Sequence, residues 1–385
     1  MSDSPLHLPD FALETYFSTW EFVAEHHLTA SDIESMTISE LLDMGGPADR
    51  MAFDHLSLGY TPTWGTTDLR EAVAGTYSGV DASDVLAFAG AGEAIFWAMQ
   101  LFVEAGDHVI VTVPNYQSIE SIPMATGVAV DGLRLWTGAE SSLAWHLDLD
   151  ELTSLLRPET RLVSVNIPNN PTGFVPDLDT WLELNQICHD RGVRVVSDEV
   201  YRGVELREST ILPAAVEVNP SAMSIGVVSK AYGLPGLRVG WVASRDQEAL
   251  RRLERAKHYT SICNSGPSEH LAGIALRNSD AILGANRELV ARNDRAVATT
   301  LGSYPDMFQY ASPDGGCVSF PRYLGADGVE EFCRRAVHED GVLLLPASVY
   351  RSDLADVPSD RFRIGMGRAD VPDSLLALSR FLARR

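Results

Sequence analysis

Five short apolar runs punctuate the middle of the chain: Val85–Ala89, His108–Val113, Leu162–Ile167, Val193–Ser197 and Ala222–Val228. Each gives way to turn residues and then to a stretch of helical character. Runs this continuous, with little polar alternation, read as strands buried on both faces. Strands that alternate with helices from about residue 51 to 260 predict an α/β fold, a mainly parallel sheet covered on both sides. Sheets of this kind bind ligands beyond the C-terminal ends of their strands, so the residues following each run are where chemistry is expected.

From residue 265 the pattern changes. Ile282–Tyr304 reads as a long polar-rich helix bridging two domains, and Gly315–Pro321 and Val342–Pro346 read as short strands of a smaller α+β domain. In Arg361–Met366 the residues alternate, placing Arg361 and Arg363 on one face and Phe362 and Ile364 on the other. Phe11–Val23 carries aromatics at helical spacing, a docking face, and Ser31–Met36 follows as a polar turn. The expected division is an arm over 1–45 that joins the small domain, a large domain over 46–285, and a small domain over 286–385. Two domains suit a chain of 385 residues.

Only two of the 30 basic residues are lysines, Lys230 and Lys257. A chain that so prefers arginine has nevertheless kept a lysine at Lys230, just after the Ala222–Val228 run. Arginine cannot replace lysine where an amine must lose its proton and attack a carbonyl. Gly233, Pro235 and Gly236 then make a tight loop that ends at Arg238, eight residues on. An amine and a fixed cation on one loop suit a ligand that has both an aldehyde and a phosphate. Gly90-Ala91-Gly92 opens a helix after another strand, where bare backbone N–H groups can approach a phosphate.

The net charge of −23 argues against nucleic-acid and anionic-membrane partners. No helix-turn-helix segment or basic patch precedes residue 50. The four cysteines show no CxxC spacing and no disulfide framework, so reduced thiols, a cytoplasmic setting and no metal are expected. Met1–His7 has neither a basic leader region nor an apolar core, and no apolar run reaches the ~18 residues of a membrane span.

Ser229–Trp241 resembles the lysine segment of the class I/II aminotransferases, pyridoxal-phosphate enzymes of fold type I. Further matches follow in the family's order: Tyr60-Thr61-Pro62 with Leu69-Arg70, Tyr116, Asn170-Pro171-Thr172-Gly173, Asp198 with Tyr201, and Arg363. The resemblance implies a mainly parallel seven-stranded sheet in the large domain, a homodimer, and pyridoxal 5′-phosphate as cofactor. It makes Lys230 the catalytic residue that binds the cofactor aldehyde covalently and then works as general base. Ala91, Gly92, Ser229 and Arg238 would hold the phosphate, and Tyr60 would reach the phosphate of the partner subunit. Tyr116 would stack on the ring, Asp198 would pair with its nitrogen, and Asn170 and Tyr201 would meet its 3′-oxygen. Arg363, with Asn170 beside it, would fork onto the substrate α-carboxylate. The chain departs from the pattern at Val227, where the family commonly has a hydroxyl for the phosphate.

These matches imply transamination between an L-amino acid and a 2-oxo acid. The arm, Ser229–Trp241 and Gly315–Arg322 also resemble capreomycidine-synthase-like enzymes, which use the same machinery for elimination and cyclisation of a hydroxylated arginine. An acidic arm, with Glu14, Glu21, Asp32 and Glu34 as candidate substrate contacts, suits such a cationic substrate, although a solvated helix face is the ordinary place for residues of this kind.

Overall fold

A computed structural model describes residues 8–138, 143–207 and 210–384. The Met1–His7 segment lies outside them. The described chain opens with a helix, Ala12–Trp20, and a two-residue strand, β1 (His26–His27). The main sheet then uses β2 (Val85–Phe88), β3 (His108–Val113), β4 (Ala129–Thr137), β5 (Trp145–Leu147), β6 (Thr160–Asn166), β7 (Arg194–Asp198), β8 (Met223–Val227) and β9 (Gly240–Ala243). Their spatial order is β2-β9-β8-β7-β6-β3-β4-β5. Strands β4, β3, β6, β7 and β8 run parallel to their neighbours in that row, while β9 is antiparallel to β2 and β8.

The sheet carries one strand more than the seven expected. Strand β4 runs on past Arg134, the last residue it sets opposite β3. Its final residues, Leu135–Thr137, offer a free edge that Trp145–Leu147 takes antiparallel. Three residues are too short a run to register as hydrophobic periodicity.

Alternate residues of the central strands face opposite layers. Val109, Val111 and Leu162 pack with Ala94, Met99, Leu250 and Leu253, whereas Ile110, Val163 and Val165 pack with Trp181, Leu184 and Cys188. Full burial of such side chains contributes about 1.5–3 kcal/mol each. It also explains why the strands read as unbroken apolar runs. The Leu178–Asp190 helix starts where the Asp177 side chain accepts from Thr180 N (2.7 Å).

The long helix expected over Ile282–Tyr304 is Ser279–Gly302, and Asn293 on it donates to Met366 O (2.9 Å) and Arg368 O (2.7 Å). Beyond it come β10 (Phe308–Gln309), β11 (Val318–Ser319), β12 (Arg322–Tyr323), β13 (Val342–Leu343), β14 (Leu345–Pro346) and β15 (Phe362–Gly365). Strand β15 lies between β11 and β14, β10 pairs with β12, and β13 pairs in parallel with β1. Phe362 and Ile364 enter the core, as the alternation implies.

The arm is tied to these short strands. Leu28 N donates to Leu343 O (3.1 Å), Gly365 N to Leu28 O (2.8 Å) and Glu34 N to Gly367 O (2.8 Å). Gly365 and Gly367 make this passage possible, because a Cβ on either would collide with the backbone of Ala30 or Asp32. Residues 31–36 therefore thread between packed elements, with Ile33 fully buried, where the sequence reads as a polar turn. The segment ends at Thr37, whose side chain and Glu40 form a capping box for the next helix. No helix among the described residues is long and apolar enough to cross a membrane.

Candidate active site

Strand register brings the candidate residues to one edge of the sheet. Asn166 lies opposite Asp198, Asp198 opposite Ile225, and Val227 and Phe88 both opposite Gly240. Above this line of C-terminal ends lies a cavity of about 970 Å³. Ala91, Gly92, Tyr116, Asn170, Asp198, Tyr201, Ser229, Lys230 and Arg238 all line it.

The Lys230 amine donates to Ser31 Oγ at 2.9 Å. Burial holds this amine below the ordinary lysine range, the like charge of Arg363 adds to the effect, and Asp32 and Asp198 oppose it. Asp198 is 5% exposed and accepts from Val200 N (3.1 Å). Burial pushes its carboxyl up to about 7. Tyr201 donates to the backbone oxygen of Ser31 (2.9 Å), so one residue of the arm meets both the lysine and the tyrosine.

At the phosphate end of the proposed site, Arg238 adopts a left-handed backbone (φ 52°). Its guanidinium donates to Ser229 Oγ (3.4 Å) and Pro235 O (3.3 Å), and no carboxylate among the described residues pairs with it. The Ala91–Leu101 helix points its first turn into the same corner with no side-chain cap. An arginine without a counter-ion beside an uncapped helix N-terminus is an anion site. With a buried carboxyl and a weakly basic amine in the same cavity, the donor set fits pyridoxal 5′-phosphate. Val227 lines the cavity without a polar atom to add.

Two candidates stand apart from the cavity wall. Arg363 is fully buried, beneath Phe17, with its guanidinium 5.8 Å from that ring's centroid. It donates to Asn170 Oδ1 (3.2 Å), Tyr350 Oη (2.7 Å) and Thr29 O (2.5 Å), while its Nε has no acceptor. Arg361, just before that strand, is also buried and lines a different cavity. Tyr60 is 91% exposed and does not line the cavity of its own chain.

The arm supplies the rest of the wall. Phe11, Tyr16 and Phe17 pack on Phe320, Leu345 and Tyr350, and the Tyr116 ring lies 4.9 Å from that of Phe11. Glu14, Glu21, Asp32 and Glu34 all border the cavity, as does Asp370. Asp32 pairs with Arg368 (2.7 Å), Glu34 accepts from Ala369 N (2.8 Å), and Glu14 accepts from Tyr116 Oη (3.5 Å). Ser31, Thr29 and Tyr350 are the residues that motif reading leaves out. None belongs to a recognisable spacing, and only the threading of the arm brings them together.

The profile of the family described as aminotransferase class I and II matches residues 49–377. Capreomycidine synthase of Streptomyces vinaceus is 30% identical over 379 residues, spanning 97% of this chain and 94% of its own length. Among solved structures, a PLP-dependent aminotransferase from Streptococcus suis 89-1591 is similar with a TM-score of 0.89 and 30% identity, covering 98% of this chain and 99% of that one. A PLP-dependent cyclase, OrfR, is similar with a TM-score of 0.87 and 26% identity over the full length of both chains.

Proposed function

Because the chain belongs to the class I and II aminotransferases, PLP-dependent enzymes of fold type I, we propose that it moves the amino group of an L-amino acid onto a 2-oxo acid with Lys230 as the catalytic base. The observation that carries this reading is the half-buried Lys230 amine sharing one cavity with Asp198 and with Arg238, with which no carboxylate among the described residues pairs. Bound pyridoxal 5′-phosphate supplies an aldehyde for amines and an electron-withdrawing ring that stabilises negative charge at the substrate α-carbon.

The chain's own groups do the remaining work. Arg238, Ser229 and the N–H groups of Ala91 and Gly92 bind a phosphate dianion. Asp198, ionised beside the positive charge, would keep a proton on the ring nitrogen. Tyr116 would stack on the ring, and Asn170 and Tyr201 would hold its oxygen substituent. Burial holds the Lys230 amine below the ordinary lysine range, so it gives up its proton more readily and can take the α-proton and return it. Arg363, which Phe17 covers, binds the α-carboxylate once that ring moves aside, and its Nε, without an acceptor among the described residues, is a ready donor. Tyr60 serves the partner's phosphate in a homodimer, and the exposed Leu58 and Tyr259 suit burial in such an interface. The reaction belongs in the cytoplasm, in keeping with the four cysteines being free thiols.

The acidic arm favours a second reading for the substrate. Glu14, Glu21, Asp32, Glu34 and Asp370 border the cavity, and Glu21 has no partner among the described residues. This suits an amino acid with a cationic side chain, and with the full-length likeness to capreomycidine synthase it supports elimination and cyclisation of a hydroxylated arginine-type substrate. A screen of single amino acids, following the cofactor spectrum and measuring 2-oxo acid released, separates the readings. Stoichiometric 2-oxo acid supports transamination. Consumption of a hydroxylated arginine without 2-oxo acid or amine-form cofactor would sink it.

A further inference from the structure

A second cavity, of about 390 Å³, lies between the segments around Trp145, Phe174 and Phe320. Its wall carries Arg361, two residues before Arg363 in the chain. Arg361 is 5% exposed. Its Nη1 donates to Phe320 O (3.0 Å), its guanidinium sits 4.8 Å from the Trp145 ring centroid, and its Nε has no acceptor.

No carboxylate pairs with this guanidinium among the described residues, although three lie close in the chain or on the cavity wall. Asp360 is taken by Arg322 (2.5 Å), Asp314 by Arg207 (2.6 Å), and Asp177 by the N–H of Thr180 (2.7 Å). Buried charges in folded proteins are paired, since an unpaired one costs several kcal/mol. Burial pushes the guanidinium down to about 10, the nearby Asp360 carboxylate opposes this, and the like charge of Arg322 adds to it. A cation held at that cost, facing a cavity of small-molecule size, lacks its anion.

The rest of the wall describes the body of the ligand. Trp145, Phe174 and Phe320 supply flat apolar surface, His146, Thr180, Arg207, Ser312 and Ser319 supply polar groups around it, and the buried Gln309 Oε1 has no donor among the described residues. We propose that this cavity binds a small aromatic carboxylate, its anionic group paired with Arg361 and its ring packed among Trp145, Phe174 and Phe320. The site is separate from the lysine cavity and does not rest on the transamination reading. One aromatic layer divides the two, because Phe320 meets Tyr350 edge-on at 5.7 Å and Tyr350 holds Arg363 and Asn170.

Equilibrium dialysis of the holoenzyme against benzoate tests the site, with Arg361→Gln and Ala311→Leu beside the wild type. Ala311 is an exposed rim residue, so its enlargement blocks the cavity without disturbing the buried arginine. Both variants should bind one equivalent per chain fewer than the wild type, with affinity at this site falling tenfold or more. Benzyl alcohol, the neutral analogue, should leave that equivalent undisplaced. Equal numbers of bound benzoate in all three proteins, or displacement by benzyl alcohol, overturns the proposal. If Arg361→Gln does not fold, the Ala311→Leu result decides.

Discussion

Lys230 and Ser31 lie 199 positions apart, yet the lysine Nζ donates to the serine Oγ at 2.9 Å. Among the described residues, the one side chain bonded to the proposed catalytic amine thus comes from the arm, not from the sheet that carries the lysine. Ser31 also accepts the Tyr201 hydroxyl through its backbone, so any shift of the arm is felt by both residues.

Ser31→Ala removes an acceptor that favours the charged amine. The amine then loses its proton more readily, and the acid limb of the kcat–pH profile should move to lower pH. The backbone contact to Tyr201 survives in this variant, so cofactor retention should change little. An unshifted limb would mean that the hydroxyl does not act on the lysine.

Asp198 makes the apoprotein pH-sensitive. Between its ordinary 3.8 and about 7, the folded carboxyl keeps a proton that the unfolded chain has released. Its contribution to stability therefore falls as pH rises through that window and is flat above it. At pH 8 the Asp198→Asn apoprotein should be more stable than wild type by a few kcal/mol, at ~1.4 kcal/mol per unit, while its turnover collapses. Urea unfolding of both apoproteins at pH 5 and pH 8 gives the comparison.

The two lysines should separate cleanly. Lys257 is fully buried and donates to Thr63 O (2.7 Å), Ala87 O (2.7 Å) and Asn264 Oδ1 (2.8 Å), which leaves it no reach into the lysine cavity. Borohydride reduction should therefore fix the cofactor on the Lys230 peptide alone, read by mass spectrometry. Lys257→Met should strand three acceptors and cost about 3–5 kcal/mol in urea unfolding.

How much of this could be read before the structure follows from where each residue's signal lies. Asp198, Asn170 and Lys230 stand just beyond buried strands, and those strands announce themselves as apolar runs. Glu14 and Glu21 are different. An amphipathic helix shows which face is polar but not whether that face meets solvent or the mouth of a cavity, and docking of Phe11, Tyr16 and Phe17 decides it. Ser31 and Tyr350 carry no local pattern at all. The burial of Arg363 beneath Phe17 likewise depends on the arm's path.

If Glu14 and Glu21 select a cationic side chain, Glu14→Gln with Glu21→Gln should raise KM for arginine-type donors about tenfold, a loss of ~1.4 kcal/mol. KM for neutral or acidic donors should hold or fall. Parallel changes for all donors would assign these residues to folding of the arm instead.

Tyr60→Phe should weaken cofactor retention by up to about a hundredfold, from roughly 1.5–3 kcal/mol of lost hydrogen bonding to a charged group. Mixing inactive Tyr60 and Lys230 variants should restore part of the activity, because each hybrid dimer keeps one intact site. A monomer in sedimentation, or no recovery after confirmed subunit exchange, would refute the shared site.

The passage over Gly365 and Gly367 has a consequence for how such enzymes diversify. Between Glu14 and Glu34, both of which border the cavity, the arm passes so close to Gly365 and Gly367 at Ala30 and Asp32 that neither glycine can carry a side chain. This constraint fixes the path of the chain and not the identity of the side chains that precede it. The helix Ala12–Trp20 can therefore change its cavity-facing residues, such as Glu14, as long as Phe11, Tyr16 and Phe17 keep their packing on Phe320, Leu345 and Tyr350. A foreign arm that keeps that packing and the 28–34 course can bring its own charges to the cavity mouth while Lys230, Asp198 and Arg238 stay where the sheet holds them.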